Sequence, residues 1–294
     1  MAAAMTSPAS PGTRDGEVEG RWARDLAAAD RALADVHPLL RHALGKADAA
    51  LLNDRIVARV RAQLEDLAER LAHGEGSETR DALAEALIAD PALLRHAHAL
   101  AVEAQLAAGL AEQVSLDPVL SPLLQMLIAS ADPAATELVA AQARFVQAQQ
   151  RGELSPADLP REGLEAALRV LRDQGLEASP QAIGSGAEDK SNRLALLDRV
   201  VAALAEGSTA LDVTHAGVAL FASALARASG LDRADVILAT AETQLPRLAL
   251  ALRASGAAVE RQVFALHPDA ALPEGLGSLD AKDAAALLAR RSAK

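Results

Sequence analysis

The chain contains no cysteine and no tyrosine, and aromatic residues make up only 1% of its 294 residues. Without cysteine, disulfides, thiolate catalysis and cysteine-based zinc sites are all excluded. A core therefore has to be built from aliphatic side chains, and many of these are alanine and leucine. Alanine and leucine favour helices, whereas the β-branched and aromatic residues that favour strands are scarce. The composition predicts an all-α protein.

Positive charge is also in short supply, since 29 Lys and Arg residues stand against 40 Asp and Glu residues and the net charge is −11. Binding to nucleic acid needs a basic footprint, and attraction to an anionic membrane needs a basic cluster beside an apolar face. The longest apolar stretch, near Ala216–Ala226, is too short to span a bilayer. Residues 1–20 lack the apolar core of a signal peptide. We expect a cytoplasmic protein that binds no nucleic acid and inserts into no membrane.

Composition and periodicity divide the chain into five parts. Residues 1–17 are rich in Ser, Pro, Gly and Thr and are predicted to be a disordered tail. An N-terminal helical hairpin is predicted at 18–76, with its first helix ending at His37-Pro38 and its second running from Asp48 to about Ala72. Helical repeats are predicted at 77–176, a linker containing Gly, Ser and Pro at 177–190, and a C-terminal helical subdomain at 191–294.

Helix-capping residues punctuate the middle of the chain. Asp or Ser precedes proline at Asp90-Pro91, Asp117-Pro118, Asp132-Pro133 and Ser155-Pro156. Such a side chain can accept from the free N–H groups of a first turn, and proline is well tolerated at the first helical position. Leu120–Ile128 shows helical spacing with Pro122 inside it, so that helix could start at Ser121 instead.

Two short sequence motifs that each occur twice suggest an internal repeat. An Ala-Asp-Pro-Ala motif occurs at 89–92 and again at 131–134, with Asp90 and Asp132 42 residues apart. Two helices fit in that period, which is the size of a HEAT repeat. An Arg-Ala-Ser-Gly motif recurs at 227–230 and 253–256. We predict a HEAT-like array of antiparallel helix pairs, an α-solenoid or helical bundle; the alternative is unrelated helices that share ordinary caps.

The C-terminal half is similar to a known family. The segments Ala216–Phe221, Ala224–Ala226, Gly230–Arg233 and Arg247–Ala254 resemble an uncharacterised bacterial all-helical family, catalogued as a domain of unknown function (2336). The section punctuated by Asp-Pro is similar too, so the resemblance runs from about Ser77 to Leu266. It implies a HEAT-like helical array with no established activity, and no functional residue carries over from it.

The seven histidines do not form a recognisable metal motif. His96 and His98 are two apart, which places them on different faces of a helix, whereas a chelating pair needs a spacing of three or four. His37 and His42 are five apart with Pro38 between them. The sequence therefore predicts no metal and no other cofactor.

Other arrangements that could carry chemistry are incomplete. Asp212 and His215 lie near Ser208 without the strained turn and oxyanion hole of a hydrolase, and Asp212 or Thr214 fits an N-cap better. Gly184-Ser185-Gly186 and Lys190 lack the frame of a P-loop. Glu103, Glu112 and Glu137 lie on separate helical segments, where solvated faces are expected. No catalytic residue is predicted.

One apolar stripe is a candidate interface. Its members share one face of the second predicted helix and are Ile56, Val60, Leu64, Leu67 and Leu71. The opposite face is charged, so the stripe has to be covered by protein. It could pack on the preceding helix of the same chain, or it could form a docking surface for a protein partner or a second copy.

These features predict a non-catalytic scaffold or adaptor that binds a protein partner through a concave helical surface, with a role in bacterial regulation. The alternative is a helical sensor that holds a small molecule and shifts its two halves. An enzyme of unrecognised class is the third hypothesis.

Overall fold

A computed structural model describes residues 11–44, 54–177, 192–204 and 209–292. Within these ranges all regular structure is helical, which confirms the all-α prediction. The α-helices are α1 (Pro11–Leu44), α2 (Asp54–Leu71), α3 (Ser77–Ala89), α4 (Pro91–Val114), α5 (Pro122–Ala129), α6 (Pro133–Arg151), α7 (Arg161–Asp173), α8 (Arg193–Ala203), α9 (Val213–Ser229), α10 (Arg233–Ala239), α11 (Leu245–Ala254), α12 (Val259–Leu266) and α13 (Ala281–Ser292). The predicted linker lies outside the described residues except for Glu177.

Helix α1 differs from its prediction at both ends. It begins at Pro11, inside the segment predicted to be disordered, and it continues through Pro38 instead of ending there. Proline inside a helix removes one backbone hydrogen bond and crowds the preceding turn. Burial on either side of it offsets that cost, because Trp22 and Leu40 are 0% and 1% exposed. The predicted start of the next helix at Asp48 lies outside the described residues, and α2 begins at Asp54.

The predicted caps are largely confirmed. Asp90 accepts hydrogen bonds from the backbone N–H groups of Ala92 and Leu93 at 2.9 and 3.1 Å and is the N-cap of α4. Asp132 is likewise the N-cap of α6. Ser121 is the N-cap of α5, so the helix starts at Pro122 and not after Asp117. Ser155 begins only a short 3₁₀ turn, Pro156–Asp158.

The two Ala-Asp-Pro-Ala motifs lie in different turns between helices. Ala89 is the last residue of α3, whereas Ala131 lies beyond the end of α5 with a φ of 62°, in the left-handed region. The two copies therefore share a cap and a helix start but not the turn that precedes them. Gly230 and Gly256 both take a φ of 74° just past a helix, as the Arg-Ala-Ser-Gly motif predicts.

Two hydrophobic clusters form the core, and α4 contributes to both. The larger includes Trp22 of α1 together with α5, α6 and α8 to α13, and the smaller includes α2, α3 and α7. Helix α1 lies against α11, and α4 lies against α9 and α10. In a repeat array each unit contacts only its neighbours, so these long-range contacts leave the HEAT-like arrangement unconfirmed.

The apolar stripe of α2 belongs to the smaller cluster. Val60, Leu64, Leu67 and Leu71 are each 0% exposed, and α2 packs on α3 and α4 as well as on α1. Ile56 is partly buried against the same cluster. The interface alternative is therefore wrong, because these side chains are already covered by their own chain. The other alternative holds, with α3 and α4 as additional partners.

A candidate ligand-binding cavity

A cavity of about 320 Å³ lies between α4, α6, the 116–121 segment and the first half of α9, and α2 reaches it through Arg59. Its α4 wall is lined by alanines at helical spacing, Ala104, Ala107, Ala108 and Ala111. Alanine ends at its Cβ, so this face of α4 leaves space where a leucine would fill it. Leucines line the cavity from other segments, namely Leu116, Leu124, Leu138, Leu197 and Leu220. The result is a largely apolar chamber.

A break in α9 shapes one wall. Gly217 has φ 74° and ψ 160°, which is not helical, and helix resumes at Val218. A Cβ at this position would lie 3.1 Å from the Cβ of Ser121, which is the N-cap of α5. Positive φ and this close approach both favour glycine. Asp212 caps the turn before the break by accepting from the N–H of Thr214 at 3.1 Å.

Arg59 provides the cation of the cavity. Its Nη1 donates to the carbonyl oxygen of Ala101 at 3.4 Å, and no carboxylate in the described ranges pairs with it. Burial, and then the charge of Arg55, lower the pKa of Arg59 from its ordinary value. A partly desolvated guanidinium that lacks a counter-ion is a favourable place for an anionic group.

Gln149 adds an unsatisfied polar group at the same end. Gln63 Nε2 donates to Gln149 Oε1 at 2.6 Å, and Gln149 Nε2 has no partner although the residue is 3% exposed. If both amides were flipped, Gln149 would donate to Gln63 and its oxygen would be unpartnered instead. Gln63 lies one helical turn after Arg59 on α2, so Arg59 and Gln149 face the cavity from the same end.

A buried ionic cluster lies at the same end of the α4 wall, because Glu103 is two residues after Ala101, to which Arg59 donates. Glu103, which is 1% exposed, accepts from Nη2 of Arg193 and from both terminal nitrogens of Arg233, the latter at 3.0 and 2.8 Å. Arg193 also donates to Gln142 Oε1 at 2.7 Å and stacks 3.6 Å from the centre of the Phe145 ring. Burial raises the pKa of Glu103, but the charges and hydrogen bonds of the two arginines outweigh it and lower the pKa to about 2.

A second cavity, of about 360 Å³, lies on the other side of Phe145 and Arg193 and is more polar. Arg70 and Arg151 at its edge pair with Glu153 at 3.6 and 3.1 Å. Asp158 also lines it, and burial raises the pKa of that carboxyl. Small-molecule sites are lined mainly by apolar side chains, so the first cavity, which is the more apolar of the two, is the better candidate site.

The histidines form a contact that spacing within one helix could not predict. His98 of α4 meets His37 of α1, with ring centroids 5.8 Å apart and the rings nearly perpendicular. Burial, and then the charge of His37, lower the pKa of His98 to about 4. Across the described part of the chain, no group of three or more His, Asp or Glu side chains could hold a metal ion.

The other residues considered as candidates in the sequence lie in different parts of the structure. Glu103 and Glu112 lie on one helix, α4, and not on separate segments as predicted. Both line the cavity, and Glu103 is buried, so its expected position on a solvated face is wrong. Glu137 instead pairs with Arg199 at 3.7 Å. Ser208, Gly184-Ser185-Gly186 and Lys190 lie outside the described residues. Sequence reasoning missed the cavity; the signal that could have indicated it was the alanine face of α4 beside Glu103.

Comparison with known proteins adds no relative: no family model, no curated protein and no solved structure matches this chain. The resemblance to the uncharacterised bacterial family therefore stays a prediction. Among the helices described, none combines the length and apolar content needed to cross a membrane.

Proposed function

We propose that this protein is a ligand-binding regulatory domain that holds a small, mainly apolar molecule in the cavity between α4, α6 and α9. The cavity carries this proposal. Its volume of about 320 Å³ falls at the lower end of the roughly 300–1,000 Å³ typical of small-molecule sites. Like those sites, it combines apolar walls with a few polar groups, here Arg59, Gln149 and Gln142.

Regulation is part of the proposal because the cavity walls come from separate regions of the chain. Helices α4 and α6 supply one side and the broken segment of α9 supplies another. Helix α9 also packs on α10, α11 and α12. A ligand that prefers one spacing of α4 and α9 would shift the population of conformers toward that spacing.

Scaffold and adaptor roles, a homodimer, the HEAT-like array and a cytoplasmic location stay predictions. The candidate interface on α2 is buried, and the most exposed large apolar side chains described, Leu39, Val114, Met126 and Phe264, come from four different helices. We therefore propose no second function.

The test fills the cavity with a larger side chain. Ala107→Phe places a ring against the α4 wall, whereas Ala140→Phe adds the same ring at an exposed position of α6 that does not line the cavity. The probes are octan-1-ol and octanoate, and the measurement is the melting temperature with and without each probe. We expect at least one probe to raise the melting temperature of the wild type and of Ala140→Phe but not of Ala107→Phe. No rise in the wild type with either probe, or an equal rise in all three proteins, would contradict the proposal.

A further inference from the structure

We infer that the ligand is an amphipathic carboxylate whose acidic group binds Arg59 and Gln149 and whose apolar chain follows the alanine face of α4. This inference rests on the proposed function and specifies the class of ligand for the same cavity. It comes from where the donors, the acids and the apolar walls lie relative to one another.

In the part of the chain that the structure describes, no carboxylate pairs with the positive charge of Arg59 at one end of the cavity. Its hydrogen bond to Ala101 is long, at 3.4 Å, and Ala101 offers a neutral carbonyl oxygen. Glu103 also lines the cavity, but Arg193 and Arg233 already bind both of its oxygens. A guanidinium binds a carboxylate through two parallel N–H donors, and the two charges strengthen the hydrogen bonds. A carboxylate ligand would supply the missing counter-ion.

Gln149 provides a second donor for the same group. Its Nε2 is buried and has no partner, and Gln63 holds its other amide atom at 2.6 Å. Because Gln63 and Arg59 are four residues apart on α2, the free amide and the guanidinium lie at one end of the cavity. The Gln63–Gln149 pair can form in either amide orientation, and a carboxylate oxygen would favour the orientation in which Nε2 of Gln149 is left to donate to it.

The other end of the cavity disfavours an anion. Glu112 and Asp117 line it there and both carry negative charge. Ala104 and Glu112 are eight residues apart on α4, which corresponds to about 12 Å along the helix axis. Only apolar side chains of α4, Ala107, Ala108 and Ala111, line the wall between them. The site therefore fits one acidic group followed by an apolar chain, and it does not fit a molecule charged at both ends.

The experiment compares octanoate with octan-1-ol, which has the same chain and no charge, by titration calorimetry. The proteins are the wild type, Arg59→Met, Arg59→Lys and the control Arg144→Met, which removes an exposed arginine of α6 that does not line this cavity. Circular dichroism melting of each variant without probe checks that it folds. Acetate serves as the carboxylate without a chain.

We expect the wild type and Arg144→Met to bind octanoate at least tenfold more tightly than octan-1-ol or acetate. Arg59→Met should lose that preference while its affinity for octan-1-ol stays within twofold of the wild type. Arg59→Lys, which keeps the charge without the planar fork, should retain part of it. Equal affinity of the wild type for octanoate and octan-1-ol would overturn the inference and leave the proposed function standing. Binding of neither probe would overturn both.

Discussion

Glu103 of α4 accepts hydrogen bonds from both terminal nitrogens of Arg233, at 3.0 and 2.8 Å, across 130 residues of sequence. Arg193 of α8 binds the same carboxylate, so one buried charge joins α4 to two helices of the C-terminal half. The cluster borders the cavity through Glu103 and Gln142. The cluster therefore holds these helices together and forms part of the cavity wall.

Glu103→Gln should destabilise the fold strongly. The substitution leaves Arg193, which is 3% exposed, without its counter-ion, and removing one partner of a buried pair costs about 3–5 kcal/mol. Urea denaturation at neutral pH measures the loss. Glu137→Gln is the matched control, because its pair with Arg199 is exposed on both sides and should change stability by less than about 1 kcal/mol. Equal losses in the two variants would contradict a buried, structural role for Glu103.

Low pH should destabilise the fold by protonating the carboxylate of Glu103. The pKa of Glu103 is lowered from 4.5 to about 2 in the folded chain. An acid with a lower pKa in the folded state stabilises it fully above the unfolded pKa, and this contribution is lost as pH falls. Stability measured between pH 4.5 and pH 2 should therefore fall more steeply in the wild type than in Glu103→Gln. Parallel profiles over that window would show that Glu103 is not ionised in the fold.

His98→Leu should reduce the loss of folding stability that occurs as pH falls from 6.5 to 4. The pKa of His98 falls from 6.5 to about 4 on folding, so the unfolded chain binds more protons between those values. Wild-type stability should decrease as pH falls from 6.5 to 4, and the variant should show a smaller decrease. His73→Leu, at an exposed position, is the control and should keep the wild-type slope. Melting temperatures across this range are the measurement; an unchanged slope in His98→Leu would count against a buried neutral imidazole.

Gly217→Ala should destabilise the protein, because the residue has a φ of 74° and its new Cβ would lie 3.1 Å from Ser121. Strain of this kind costs about 1–3 kcal/mol. Gly109→Ala tests the same change inside α4, where a Cβ meets nothing within 4 Å, and it should stabilise by roughly 0.5–1 kcal/mol. Guanidinium denaturation of the two variants should give opposite signs. A stabilised Gly217→Ala would mean that α9 is not broken there.

Leu64→Asp should lower the melting temperature at every protein concentration, because Leu64 is 0% exposed in the core between α2, α3 and α4. An unpaired carboxylate in that core costs several kcal/mol. Gel filtration should show no change of oligomeric state in the folded fraction. A stable variant that elutes as a smaller species would restore the interface hypothesis for the α2 stripe.

Helix caps can be predicted from the sequence because their signals are local. Asp90, Ser121 and Asp132 cap the helices that follow them because each cap depends on a side chain and the N–H groups two or three residues later. The prediction that the first helix ends at His37-Pro38 is wrong because proline ends a helix only by its local effect, whereas burial of α1 on both sides of Pro38 keeps the helix continuous.

The cavity could not be predicted in the same way. Alanine at four helical positions of α4 fits a close helix contact as well as an empty space, and only the helices packed opposite decide between them. Those are α6 and the broken α9, whose Gly217 meets Ser121 across 96 residues of sequence. The proximity of Arg59 and Gln149 likewise depends on the packing of α2 on α6.

Titration calorimetry of octanoate into the wild type, Ala107→Phe and Ala140→Phe measures occupancy of the cavity most directly. Binding to the wild type and to Ala140→Phe with equal affinity, and at least tenfold weaker binding to Ala107→Phe, is the predicted result. The contradicting result is octanoate binding of equal strength in all three proteins, which would place the ligand outside the cavity between α4, α6 and α9.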